Sequence, residues 1–496
     1  MGIIIRQSIK GTIFNYIGAF IGFLTTMYIL TKFLKPEEIG LTKVIYEAAY
    51  MIACFALMGT TSSATRFFPF FKNTKNKDNG FFFYLMILPT LGLIIFISIY
   101  LSLKKPISAF FSTNSALFVD YYYWVIPLVF IFVYWMTFEA YSNQKMRIAI
   151  PKFIREVLVR LILIAVYLSY AFKLISLDVF IACFILTYGI ALLVSLFYIF
   201  KIGDLTLKHN FSFLNKELRS NISKYTLYLV LGALGGGILN QLDLFMVSSQ
   251  LGLDYAGIYA IAFYIAVIIE IPSRSITIIS SPIAAKALKE GNFNEANALY
   301  KKVALNQLIS GGLFFIFLWI NIDNIFAIIP NGHIYAAGKW VIFFISLSKI
   351  ISITLGFGES LISFSKYYYW ILPFSVLTTT IAIITNLLLI PVLGITGASI
   401  ATLITHIIIY SAEQWIVLIK IKGNPFSLNI FKFIILLCVA FGLNLLVPVW
   451  SENPIIDGLY RTIVVGTPTL IALYKLNISS ELSLLISSAL QKIIHK

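Results

Sequence analysis

The residues able to do chemistry in this chain are few, and most are charges set inside long apolar runs. Lys43 and Glu47 are spaced i, i+4 in one run, and Asp243 follows Asn240 and Gln241 in another. Glu270 and Arg274 are again i, i+4 and flank Pro272. Lys349 and Glu359 share a further run, and Glu413 stands in the one after next. A charge at the centre of a bilayer costs at least ~2.5–3.5 kcal/mol on insertion scales, so it faces a water-filled cavity or a partner. An acid and a base one turn apart can neutralise each other as a structural salt bridge. That bland reading competes with a functional one for Glu270/Arg274 and for Lys43/Glu47, the latter nearer a membrane face. Asp243 and Lys349 have no opposite charge within one turn, and Lys349 is expected to line a cavity. Glu359 and Glu413 fall near the inner interface, where a structural role is expected. Arg66 closes its run on the cytoplasmic side. It either snorkels to the interface or binds a phosphate, whose geometry suits a guanidinium.

Other chemistry is missing. No GxxxxGK[ST] loop is present to cradle nucleotide phosphates. Cys54, Cys183 and Cys438 lie in apolar runs without metal-ligand spacing, and the four histidines are scattered. No nucleophile–base pattern stands out. The expectation is a protein that is not an enzyme, with no catalytic residue, no metal and no cofactor.

The elements that hold these charges follow from composition. Of 496 residues, 59% are hydrophobic and 12% charged, and the mean hydropathy is +0.91. A soluble domain carries about 25% charged residues. The apolar residues form fourteen long runs, most exceeding the ~20 residues that cross the hydrocarbon of a bilayer as a helix. They are continuous rather than alternating, which excludes a barrel. Helices are then the only way to satisfy the backbone in lipid. The fold class is an all-α integral membrane protein with about 14 transmembrane helices. The charge of +16 marks one membrane face rather than a nucleic-acid site, because no polar domain is left to hold one.

Most of the 37 Lys and Arg fall on one side when the N-terminus is placed inside. Lys32, Lys35, Lys104, Lys105, Lys173, Lys339 and Arg461 are the exceptions outside the spans. The bias puts both termini in the cytoplasm. LKPEEIG (Leu34–Gly40) also aligns without a gap on LGLDYAG (Leu251–Gly257), each between two long apolar runs. The offset spans six helices, so the two halves point the same way. The predicted organisation is an N-terminal lobe over 1–200 with an interfacial helix at its start, and a cytoplasmic linker over 201–224. A C-terminal lobe over 225–419, two further spans over 420–477 and an amphipathic tail over 478–496 complete it. The second span is expected over 41–68, the fifth over 156–173 and the seventh over 225–250.

LTKFLKPEEIGL after the first span and DLFMVSSQLGLDYAGIYAIAFYIA across the seventh and eighth resemble polysaccharide flippases. These belong to the multidrug/oligosaccharidyl-lipid/polysaccharide exporter superfamily. MRIAIPKFIREVLVR (Met146–Arg160) and LLLIPVLGITGASIAT (Leu387–Thr402) are similar to that family as well. The resemblance implies two six-helix lobes around a cavity, plus two extra helices that help form a groove for a lipid tail. It implies transfer of an undecaprenyl-diphosphate-linked oligosaccharide, an O-antigen or capsule unit, by alternating access across a bacterial inner membrane. The implied partners are this lipid-linked oligosaccharide, membrane lipids, and the glycan polymerase and glycosyltransferases of the same synthesis. On that resemblance Arg274, Lys349, Lys43 and Arg66 would supply a cationic cavity for the headgroup. Asp243, Glu270 and Glu47 would carry a coupling H+ or Na+, or orient the basic groups.

Three rivals remain at this level. A lipid II flippase would need a similar cavity. A cation-coupled multidrug exporter would want net acid in the cavity, and the internal charge here is mixed. A membrane glycan polymerase would need a long extracytoplasmic loop, and none is long enough.

Overall fold

The computed structural model describes residues 3–72, 78–203, 205–206 and 239–479, with only the backbone given for some of them. Among the described residues there is no strand, and eleven helices are long and apolar enough to cross a bilayer. The chain is an all-helical membrane protein, as lipid demands of any backbone with nothing else to bond to. It divides into two compact units, Met1–Ala260 and Ile261–Lys496.

In the first unit the motif LKPEEIG forms a sharp corner between helices. Leu34 and Lys35 are extended, as the position before a proline favours. Pro36 opens the helix Pro36–Ala56, and the Glu38 side chain accepts the Lys35 backbone N–H at 2.9 Å. The second copy turns differently. Gly252 takes a φ of 111°, and the helix Leu253–Val267 follows.

The two copies meet. A Cβ on Gly40 would lie 2.0 Å from the carbonyl oxygen of Leu253, and a Cβ on Gly257 would lie 2.0 Å from that of Pro36. Leu253 is the counterpart of Pro36 in the repeat, so the contact is reciprocal. Only glycine lets both backbones approach this far.

The span expected over 41–68 is broken. The helix ends at Ala56, Met58 and Gly59 adopt positive φ (48° and 67°), and a new helix runs Thr60–Phe71. Aromatic packing explains the new direction. Phe67, Phe68 and Phe71 join a buried cluster with Phe81, Tyr84, Phe138 and Tyr141, which pins this helix to Phe81–Ser102 and Val125–Gln144. Lys145 pairs with Asp78 beside it.

In the second unit, Ile371–Ile416 is one helix of 46 residues interrupted at Gly394 (φ 61°, ψ −141°), shortly after Pro391. Its later half packs along Lys339–Leu355. Phe293–Ile320 runs straight through Gly311 and Gly312. These glycines are contact points rather than bends: Ile353 closes on the first, and Phe433 and Leu437 on the second. The run of three glycines at 235–237 in the expected seventh span, most of the linker over 201–224 and nearly all of the tail over 478–496 lie outside the described residues.

Candidate functional site

Each unit holds its own polar interior. In the first, a cavity of about 650 Å³ opens among Tyr46, Glu47, Tyr50, Trp135, Glu139, Arg155 and Gln241. Three of the helices that line it carry its charged and aromatic side chains. Pro36–Ala56 presents Tyr46, Glu47 and Tyr50 over slightly more than one turn, which is one helix face. Val125–Gln144 presents Trp135 and Glu139 at i, i+4. Arg155 comes from Ile154–Leu158, a turn wound as a π-helix inside a longer helix, as is frequent at functional positions.

Arg155 Nη1 donates to both oxygens of Glu139, at 3.1 and 3.3 Å, and its Nε donates to Glu156 at 3.2 Å. Glu156 in turn accepts from Arg160 at 3.1 Å. The Trp135 indole Nε1 is buried without a hydrogen-bond partner among the described residues. Such orphans are rare and call for an explanation. The ring lines the cavity, and the covered Nε1–H would need a side-chain shift to reach a ligand oxygen there. Lys43 and Glu47 are half-buried and act on each other electrostatically, but no close ion pair joins them among the described residues.

Asp243 sits on the helix Leu239–Leu251 and is fully buried. The Tyr259 hydroxyl donates to its Oδ2 at 2.9 Å. Its expected neighbour Gln241 reaches the cavity, while the side chain of Asn240 lies outside the described residues. Arg66 is carried by the helix Thr60–Phe71, and its side chain is likewise not described.

The second unit re-pairs the charges that the sequence places one turn apart. Glu270 bonds Lys349 at 3.0 Å, and Arg274 is exposed, with no ion pair among the described residues. The i, i+4 geometry expected of Glu270 and Arg274 fails for a local reason. Ile268–Glu270 is a 3₁₀ turn, and the next helix starts at Ile271 with Pro272 in its first turn, so the phase between the two side chains is not that of one continuous α-helix. Lys349 is 5% exposed, and its ammonium also lies over the Phe263 ring. The cavity-lining role expected of it becomes a buried ion pair.

The second unit also holds an apolar groove of about 460 Å³. Phe315, Phe343, Ile350, Ile434 and Phe441 are among its lining residues, from Phe293–Ile320, Lys339–Leu355 and Leu428–Leu446. Among the described residues no cluster of His, Cys, Asp or Glu could hold a metal ion.

Sequence reasoning missed Glu139, Arg155, Glu156 and Arg160 as a network. In the sequence the two arginines read only as part of the basic bias of the cytoplasmic face. The signal available was local: Arg155, Glu156 and Arg160 follow one another within two turns. The partner Glu139 lies on a different helix.

An all-helical membrane chain with buried charge pairs, a polar cavity and an apolar groove has the build of a transporter. The comparisons give the class. The fold is similar to that of a lipid II flippase MurJ in an inward closed conformation, at a TM-score of 0.72 and 12% identity, covering 94% of this chain and 98% of that one. It is similar to an inward-facing multidrug resistance MATE family transporter of the MOP superfamily (TM-score 0.58, 14% identity, 84% and 98% covered). It also resembles a MOP superfamily transporter from Pyrococcus furiosus (TM-score 0.55, 13% identity, 85% and 96% covered). No curated protein matches the chain in sequence. Residues 5–287 match the model of the family described as polysaccharide biosynthesis protein, and the chain belongs to that family. The family is therefore that of polysaccharide biosynthesis proteins, and the fold is that shared by these MOP superfamily structures.

Proposed function

We propose that this protein flips an undecaprenyl-diphosphate-linked oligosaccharide, an O-antigen or other polysaccharide repeat unit. Transfer runs from the cytoplasmic to the periplasmic leaflet of a bacterial inner membrane by alternating access, coupled to an ion or to the membrane potential. The observation that carries this reading is the cavity of the first unit. Flat aromatic faces beside carboxylates, amides and a guanidinium suit a sugar, which presents apolar C–H faces and a rim of hydroxyls. The family's role in polysaccharide biosynthesis supports the same substrate class. The apolar groove of the second unit suits a prenyl tail. On this reading the chain crosses the membrane fourteen times, both termini face the cytoplasm, and the chain is organised as lobes over 1–200 and 225–419. Lys43, Lys349, Arg66 and Arg274 remain the cations proposed for the diphosphate. Asp243, Glu270 and Glu47 remain the proposed coupling or cavity acids.

The test is genetic and chemical. Cells lacking the gene should lose surface polysaccharide and accumulate the lipid-linked unit on the inner leaflet, and the wild-type gene should restore both. Normal surface polysaccharide in the deletion strain would overturn the assignment. The fold likeness to a lipid II flippase favours one second reading. Depletion would then block peptidoglycan synthesis and leave other surface glycans to fail only afterwards.

A further inference from the structure

Between the parallel helices Lys339–Leu355 and the later half of Ile371–Ile416 runs a seam of polar pairs. Ser348 Oγ meets His406 Nδ1 at 2.5 Å, and one turn on Ser352 Oγ meets Tyr410 OH at 2.8 Å. Lys349, beside the first rung, is held by Glu270. One turn beyond Tyr410 stands Glu413. It is 7% exposed, and its Oε2 is buried with no hydrogen-bond partner among the described residues. No cation pairs with Glu413 among the described residues. Lys349, the basic side chain of the seam, is already taken by Glu270.

The titratable groups around Glu413 can be named from every side. Tyr410 and His406 precede it on its own helix, and Tyr300 approaches from Phe293–Ile320, bonding the adjacent Gln414 at 2.7 Å. Glu359 comes from Phe357–Phe364 and acts on Glu413 electrostatically. Glu270 and Lys349 lie further along the seam. An ionised carboxylate without a partner is not tolerated in an apolar interior; it takes up a proton instead. Two neighbouring carboxylates cannot both ionise cheaply either. A metal ion would require a fuller set of oxygen ligands. Here Glu359 acts on Glu413 electrostatically, and among the described residues no third acidic or imidazole ligand completes a cluster. Glu359, unlike Glu413, is exposed at the surface of the unit.

We propose that Glu413 is a hydrogen-ion binding site, and that Glu359 passes the proton between it and the surface. In the loaded state Glu413 is the neutral acid and Glu359 the carboxylate. Transfer breaks the O–H bond on Glu413 and forms one on Glu359, so the charge of the pair is unchanged. Release from Glu359 to water then leaves the pair doubly negative. On the transport reading above, this proton is the coupling ion. The site itself does not depend on that reading.

The experiment uses the full-length protein in lipid nanodiscs and needs no transport substrate, so its failure leaves the flippase assignment standing. Infrared difference spectra are recorded as pH is raised at constant salt. A carbonyl band of a protonated carboxylic acid should titrate away in the wild type. It should be absent from Glu413→Gln and present in Glu270→Gln. Glu359→Gln should keep the band but slow its loss after a pH jump. Sodium added at constant pH should leave the band in place. A band that survives in Glu413→Gln, a band displaced by sodium, or no titrating band in the wild type would overturn the proposal. If Glu413→Gln does not assemble, Glu413→Asp decides: a displaced band supports the site, and an unmoved one overturns it.

Discussion

Glu270 and Lys349 close an ion pair at 3.0 Å across two helices, although Glu270 has a cationic residue, Arg274, four positions ahead of it. Lys349→Ala leaves the Glu270 carboxylate without its partner. The expected loss of stability is about 3–5 kcal/mol, as for other buried pairs broken on one side. Replacing both partners, Glu270→Gln with Lys349→Met, should recover most of it. Thermal unfolding of the purified variants measures this. Surface polysaccharide then separates stability from transport: the double variant should be stable and still impaired.

Arg274 behaves oppositely. It is exposed and unpaired among the described residues, so Arg274→Ala should shift stability by no more than about 0.5 kcal/mol. Any loss of surface polysaccharide in this variant reads directly on the headgroup, and unchanged polysaccharide would remove Arg274 from the proposed cationic set.

Trp135 makes a prediction with two signs. Its buried Nε1–H has no acceptor among the described residues, and an unmet buried donor costs about 1–3 kcal/mol. Trp135→Phe removes the donor and keeps most of the ring. The variant should unfold at an equal or higher temperature than the wild type while restoring less surface polysaccharide to the deletion strain. Lower stability with full transport would contradict both halves.

Tyr259 donates one hydrogen bond to the fully buried Asp243. Bonds to charged groups contribute about 1.5–3 kcal/mol. Tyr259→Phe should therefore destabilise by that order, and adding Asp243→Asn to it should cost less than the two single changes summed. A double-mutant cycle on thermal unfolding gives the answer.

Gly40→Ala and Gly257→Ala each drive a methyl group into a backbone carbonyl. Backbone cannot swing aside as a side chain does, so each should cost about 1–3 kcal/mol, the range of overpacking. The two should be strongly non-additive, because the first forces apart the helices that the second would clash between.

Much of this architecture is legible in the sequence because lipid leaves the backbone few options. Long apolar runs must be helices, and LKPEEIG had to turn a corner because Lys35 precedes Pro36. The repeat of that motif at Leu251–Gly257 was visible as letters. What letters cannot carry is who faces whom. Arg155 meets Glu139, and Lys349 meets Glu270, through helix packing that no spacing rule encodes. Local winding was hidden as well. The 3₁₀ turn at Ile268–Glu270 and the left-handed step at Met58–Gly59 each redirect a charge or a helix that a uniform α-helical reading would place elsewhere. Glu413 looked like an interfacial charge, and its burial appears only once helix Ile371–Ile416 is laid along its neighbour.

The reciprocal contact at Gly40 and Gly257 has the form of a two-fold dimer interface drawn inside a single chain. In a true homodimer any substitution appears on both sides at once. Here each side is encoded separately, and the sides have diverged: Lys35–Pro36 stands opposite Gly252–Leu253. The glycines hold the symmetric join while everything beyond it is free to differ. Such a scaffold can present unlike surfaces on its two sides.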